Sequence, residues 1–87
     1  ARLSLAGQTA KAWFAVVEAR AQLDLAEATL SSYRSTGDQV EERYRRGVRS
    51  PLDLRLSRTQ VAGAEARVAI RRSTLERAAR QLELLLG

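Results

Sequence analysis

Arg43-Tyr44-Arg45-Arg46-Gly47-Val48-Arg49-Ser50-Pro51-Leu52-Asp53-Leu54 carries the complete punctuation for ending one helix and starting another. Gly47 tolerates the positive φ that commonly closes a helix. Arg43, Arg45 and Arg46 precede it, where cations suit the negative end of the helix dipole. Ser50 is a good N-cap, and Pro51 falls at the first helical position, where its missing N–H costs nothing. Asp53 lies three residues after Ser50, so the two read as a capping box with Asp in the usual Glu place. The stretch therefore predicts a tight turn over residues 47–50 between two helices.

Upstream, nothing from Thr9 to Arg46 forces a stop, whereas residues 1–8 are a weak opening, with Ser4 or Gly7 as the candidate start. Apolar positions recur every seven residues: Val16, Leu23, Leu30, Gly37 and Tyr44, and beside them Ala12, Ala19, Ala26, Tyr33 and Val40. That is the a/d seam of a coiled coil. A helix from Thr9 to Arg46 would run roughly 57 Å at about 1.5 Å per residue. Its soft part is Ser31 to Asp38, where Gly37 costs about 1 kcal/mol against Ala. The heptad stays in phase across it, so the helix is expected to continue. Downstream, Leu54, Val61, Val68, Leu75 and Leu82 are spaced by seven without exception, with Ser57, Ala64, Arg71, Ala78 and Leu85 as companions. Arg71 is the misfit. Its stem is expected to cover Ala26 while its head reaches water.

The two seams fit each other when the chain folds back at Val48–Arg49. Facing residues then have numbers summing to about 97 or 98, pairing Gly37 with Val61, Leu30 with Val68, Leu23 with Leu75 and Tyr33 with Ala64. The expected fold is all-α: one antiparallel hairpin over residues 1–87, with a helix over about 4–46, the turn, and a helix over 51–86. A second, quieter stripe runs along Ala10, Phe14, Val17, Ala21 and Ala28, and another along Ala62, Ala66, Ala69 and Ser73. A free hairpin has no use for it, but a helix packed between two neighbours does.

Composition narrows the chemistry. With 87 residues the chain is one small unit whose core is marginal by itself. It has no Cys and no His, which removes disulfides, thiol nucleophiles, histidine bases and the usual zinc sets. Ser31, Ser32 and Ser35 lack a base to activate them. The acid pairs Glu41/Glu42 and Asp24/Glu27 read as solvated helix faces beside Arg. No Gly-rich phosphate loop is present. The chain reads as a non-enzyme with no catalytic residues, metal ligands or cofactor. The net charge of +5 rests on Arg that interleaves with acids. The Arg cluster around the turn (Arg43, Arg45, Arg46, Arg49, Arg55, Arg58) has only Tyr44 for stacking, which speaks against nucleic acid. No uncharged apolar run approaches the ~18 residues a membrane span needs. The missing initiator Met suggests an excised segment.

Thr9-Ala10-Lys11-Ala12-Trp13-Phe14-Ala15-Val16-Val17-Glu18-Ala19 resembles the helix opening of outer membrane efflux proteins of the TolC/OprM type, and Leu23 to Leu30 continues the likeness. The stretch from Arg43 to Leu54 is similar to that family's periplasmic tip, and Leu75 to Gly87 resembles the end of the first of its two repeats. The resemblance implies a transport channel component of a tripartite export system in Gram-negative bacteria. Three subunits, each with two such repeats, would form a twelve-helix barrel across the periplasm. Its upper end is a β-barrel in the outer membrane. Its lower end is a closable aperture meeting a periplasmic adaptor and, through it, an inner-membrane pump. Membrane contact would come only through parts outside this segment.

Carried over by position, Tyr44, Arg49 and Asp53 match places where the family holds its gate with hydrogen bonds and ion pairs, and Gly47, Val48 and Ser50 match its adaptor-facing turn. The family spreads gate contacts over both repeats, and one is here. Pro51 stands where the family often has another residue, which implies a stiffer turn. The β-strands and any lipid-anchoring Cys are absent from the segment. Capping by itself accounts for Asp53. Arg49 has no such local duty and is expected to reach outward. The competing reading is a stand-alone antiparallel coiled-coil module for oligomerisation, or an adaptor hairpin.

Overall fold

The computed structural model describes the backbone of residues 2–87 and the side chains of residues 4–87. Helix α1 spans Arg2–Arg45 and helix α2 spans Pro51–Leu86, and the two lie antiparallel as one hairpin. A straight helix of 44 residues is about 66 Å long. The molecule measures 67 × 15 × 13 Å, so α1 runs nearly straight along its whole length.

Helix α1 already includes Ser4 and Gly7, the expected starts, as interior positions, since a Ser or a single Gly inside a helix costs at most about 1 kcal/mol. It runs unbroken through Gly37 and ends one residue short of the expected Arg46. The reason for glycine at 37 is close approach: a Cβ there would lie 3.1 Å from Ser57 Oγ and 3.6 Å from Val61 Cγ2 on α2.

Among the described residues, every buried side chain lies on the two heptad seams. They are Ala12, Ala19, Leu23 and Leu30 on α1, and Leu54, Ser57, Ala64 and Val68 on α2. Leu23, Leu30, Ala64 and Val68 form the central cluster, with Ala26, Tyr33, Val61 and Leu75 packed against it. Gly37 against Val61, and Leu30 beside Val68, realise the expected register. Large side chains meet small ones in successive layers, as interdigitated helix packing requires. Arg71 is exposed, and it lines the same groove as Ala26, consistent with a stem laid over the small residue.

The two broad faces of the hairpin differ. On one, three ion pairs cross between the helices at seven-residue intervals: Glu27 to Arg72 at 3.6 Å, Arg34 to Glu65 at 3.0 Å and Glu41 to Arg58 at 3.7 Å. The other carries Gln22, Leu25 and Thr29 of α1 beside Arg67 and Arg71 of α2.

Candidate functional site: the hairpin tip

The tip is built by backbone chemistry before any side chain acts. Gly47 takes φ +76°, and the Gly47 N–H donates to the Tyr44 carbonyl at 3.0 Å. The Val48 N–H donates to the Arg43 carbonyl at 2.8 Å. Those two bonds are the pair that defines a Schellman closure, and they satisfy carbonyls left over at the end of α1. The Arg49 N–H also leans on the Arg43 carbonyl at 3.4 Å.

Helix α2 then opens through a complete capping box. Ser50 is extended at φ −80°, ψ 161°. Its Oγ accepts from the Asp53 N–H at 3.2 Å, and Asp53 Oδ2 accepts from the Ser50 N–H at 3.4 Å. Between them, Gly47 and Ser50–Asp53 reverse the chain within a few residues and leave few backbone groups unsatisfied.

The six residues singled out at the tip, Tyr44, Gly47, Val48, Arg49, Ser50 and Asp53, all lie in or beside this turn. Arg49 does have a partner within the hairpin: its Nη1 lies 3.9 Å from Asp53 Oδ2. Both side chains stay more than 40% exposed, so the contact is loose and leaves guanidinium donors free. Asp53 thus has two neighbours, the Ser50 N–H and Arg49. Sequence spacing did signal that contact, since the two residues are four apart, but the N-cap between them suggested otherwise.

The tip surface is mixed. Val48 is 70% exposed and Leu52 63%, so two apolar side chains project among Arg45, Arg46, Arg49 and Arg58. Glu42 holds Arg46 at 2.7 Å, and Glu41 is shared between Arg45 at 3.4 Å and Arg58 across the hairpin. All these pairs are exposed, which limits each to about 0–1 kcal/mol. They order the arginines more than they stabilise the fold. Leu52 and Leu56 escaped the sequence reading because they lie off the a/d seam, where a lone Leu carries no periodic signal.

Among the described residues the surface grooves are open, and several run between the two helices. Among the described residues, no cluster of acids is arranged to hold a metal ion, and no helix is long and apolar enough to cross a membrane. What the tip presents is a capped turn with several arginines and two exposed apolar side chains, Val48 and Leu52.

The fold is a long antiparallel helical hairpin with a capped tip. The outer membrane efflux protein family matches residues 1–87, and the chain belongs to that family of efflux channels. It is similar to the solvent efflux pump outer membrane protein SrpC of Pseudomonas putida, 36% identical over 86 residues. It is equally similar to the toluene efflux pump outer membrane protein TtgI, also of Pseudomonas putida. Each match covers 99% of this chain but 18% of the relative, so the chain spans under a fifth of the length of these curated relatives.

Proposed function

We propose that this hairpin is one stave of the periplasmic helical tunnel of an outer membrane efflux channel. It works in a homotrimer, and its tip forms part of the aperture that meets a periplasmic adaptor and, through it, an inner-membrane pump. The observation that carries the reading is the tip: a turn locked at both helix ends, with Val48 and Leu52 exposed at its centre and arginines around them. A rigid knob of that kind presents the same surface in every subunit, and exposed apolar residues within a charged rim are the usual composition of a protein-docking patch. Membership of the efflux family and likeness to two efflux pump components support the same reading.

Within it, Asp53 caps α2 and holds Arg49, and Arg49 keeps free donors for a neighbouring hairpin or the adaptor. Tyr44, the last aromatic side chain of α1, is 39% exposed beside the turn. Export is the function of the whole channel, and the hairpin contributes wall and gate.

The test is electrical. In the full-length trimer in planar bilayers, Arg49→Ala is expected to raise single-channel conductance severalfold, with trimer thermal stability nearly unchanged. Asp53→Ala should do the same and also lower stability, since it removes a cap. If both variants conduct and export at the parental level, the tip is a well-capped turn without a gating role.

A further inference from the structure

Arg71 is the seam residue the hairpin does not explain. Every other position on the two seams of α2 is buried or half-buried, whereas Arg71 is exposed. A leucine there would continue the apolar repeat and add to a core that is short of large side chains. The fold gains nothing from a guanidinium at 71, so its use lies outside the packing of α1 on α2.

Arg71 borders an open groove between the helices, on the broad face opposite the ion-pair ladder. Ala26 and Ala64 form the floor, Leu25 stands at the edge, and half-buried Gln22 and Thr29 make the α1 wall. Arg67 lines the same groove one helical turn from Arg71, so their Cβ atoms lie about 6 Å apart. Like charges at that spacing repel each other and mildly destabilise a helix. Among the described residues, neither arginine takes part in an ion pair. The ladder face differs, since there Arg34, Arg58 and Arg72 each meet a glutamate across the hairpin. On the groove face the wall of α1 runs Gln22, Leu25, Thr29, Ser32 and Thr36, without an acid. The first carboxylate beyond it is Glu18, about 10 Å along the helix from Leu25. Its Oε1 already accepts from Gln22 Nε2 at 3.2 Å.

We infer that Arg67 and Arg71 clamp an organic anion, its carboxylate or sulfonate head on the two guanidinium groups and its apolar body along Ala26 and Leu25. Charge complementarity carries the inference. An anion between the arginines removes their mutual repulsion, and guanidinium groups hold such heads through paired, charge-assisted hydrogen bonds. The apolar body matches a floor made of alanines, and Leu25, which is 62% exposed, gains burial against it. The floor fixes the size. From Gln22 to Thr29 is one heptad, about 10 Å, which is room for one or two aromatic rings rather than for a helix of a partner protein. The site goes beyond the reading of the hairpin as a stave and agrees with it, because hairpins joined at their edges keep both broad faces open.

Phenylglyoxal modifies free guanidinium groups and reads the site residue by residue. The full-length trimer in nanodiscs of zwitterionic lipid is treated with it, and modification is followed by peptide mass spectrometry. Naphthalene-2-sulfonate is expected to slow modification of Arg67 and Arg71 about tenfold or more, because its head occupies the reactive nitrogens. Inorganic sulfate lacks the body and 2-naphthol lacks the charge, so each should change those rates less than about twofold. Arg80, on the back of α2, should keep its rate throughout. Arg71→Leu completes the seam, so helix content and melting temperature should be equal or higher, while the protection of Arg67 falls below about twofold. The inference is overturned by protection from sulfate or 2-naphthol equal to that from the sulfonate, by protection of Arg80 along with the pair, by no protection of Arg67 and Arg71, or by full protection of Arg67 in Arg71→Leu. None of these results bears on the stave reading, which conductance and export decide.

Discussion

At the scale of single residues, two glycines and one serine show how local chemistry sets the hairpin. Gly37 is a packing glycine. Its ordinary helical φ asks for nothing special, but Ser57 Oγ would stand 3.1 Å from an added Cβ. A methyl there is met by a small shift of a side-chain oxygen and gains helix propensity, whereas a larger group has to push α1 off α2. Gly37→Leu is therefore expected to destabilise the chain by about 1–3 kcal/mol, the usual cost of overpacking. Urea denaturation followed by circular dichroism measures it; an unchanged midpoint would mean that α1 and α2 do not touch at this level. Gly47 is a conformational glycine at φ +76°, and any L side chain there is strained. Ser50→Ala removes the acceptor for the Asp53 N–H and should cost about 1 kcal/mol by the same assay. Of these positions, the turn and the capping box were legible in the sequence, because capping depends on neighbours three or four residues away. The closeness of Gly37 to Ser57 was not, because it depends on the interaxial distance.

At the scale of elements, the question is what holds the two helices in one register. The apolar seam repeats every seven residues, so a shift of α2 by one heptad still sets apolar against apolar. The ion-pair ladder does not allow this. In one direction the slip brings Glu27 to Glu65 and Arg34 to Arg58; in the other it brings Arg34 to Arg72 and Glu41 to Glu65. The alternation of sign along Glu27, Arg34 and Glu41, matched in reverse by Arg72, Glu65 and Arg58, turns two of the three pairs into like-charge contacts and leaves the third without its partner. The ladder is worth little as stabilisation, since the Arg34 and Glu65 side chains are 57% and 51% exposed. Its value is discrimination between registers. Arg34→Glu should lower stability by about 0.5–1 kcal/mol at low salt, and adding Glu65→Arg should restore it. The deficit should shrink in high salt, where exposed charges are screened. A double variant no more stable than the single one would remove the ladder from the account. The members of the ladder stood in the sequence at seven-residue spacing. Their cross-pairing became visible only once the flank of each helix that borders the seam was known.

For the whole molecule, the ratio of core to surface governs behaviour. The buried apolar side chains are Ala12, Ala19, Leu23, Leu30, Leu54, Ala64 and Val68, and almost half of these are alanine. Phe14, Val17, Leu25, Leu56, Ile70 and Leu84 are meanwhile at least 50% exposed. A two-helix body with so little buried cannot be secure alone, and its exposed stripes give it a way to gain burial by association. The melting midpoint of the isolated chain is accordingly expected to rise with chain concentration, because a process that binds only the folded form stabilises it by mass action. A midpoint constant over a hundredfold range of concentration, with a sharp transition, would show a hairpin that stands by itself.

The sequence by itself determined the helices, the place of the reversal, the faces that close on each other and the resemblance to efflux channels. Each of these follows from periodicity or from capping over a few residues, and such signals are read along the chain without knowing where anything else lies. Tertiary structure decided the rest: that Gly37 is a contact and Gly63 an open site, that opposite charges cross on one face, and that Leu52, Leu56, Ile70 and Leu84 are left uncovered. These depend on the distance between the helix axes and on the rotation of each helix about its own axis. Two sequences with the same heptads can differ in both, so only the packed pair of helices specifies them.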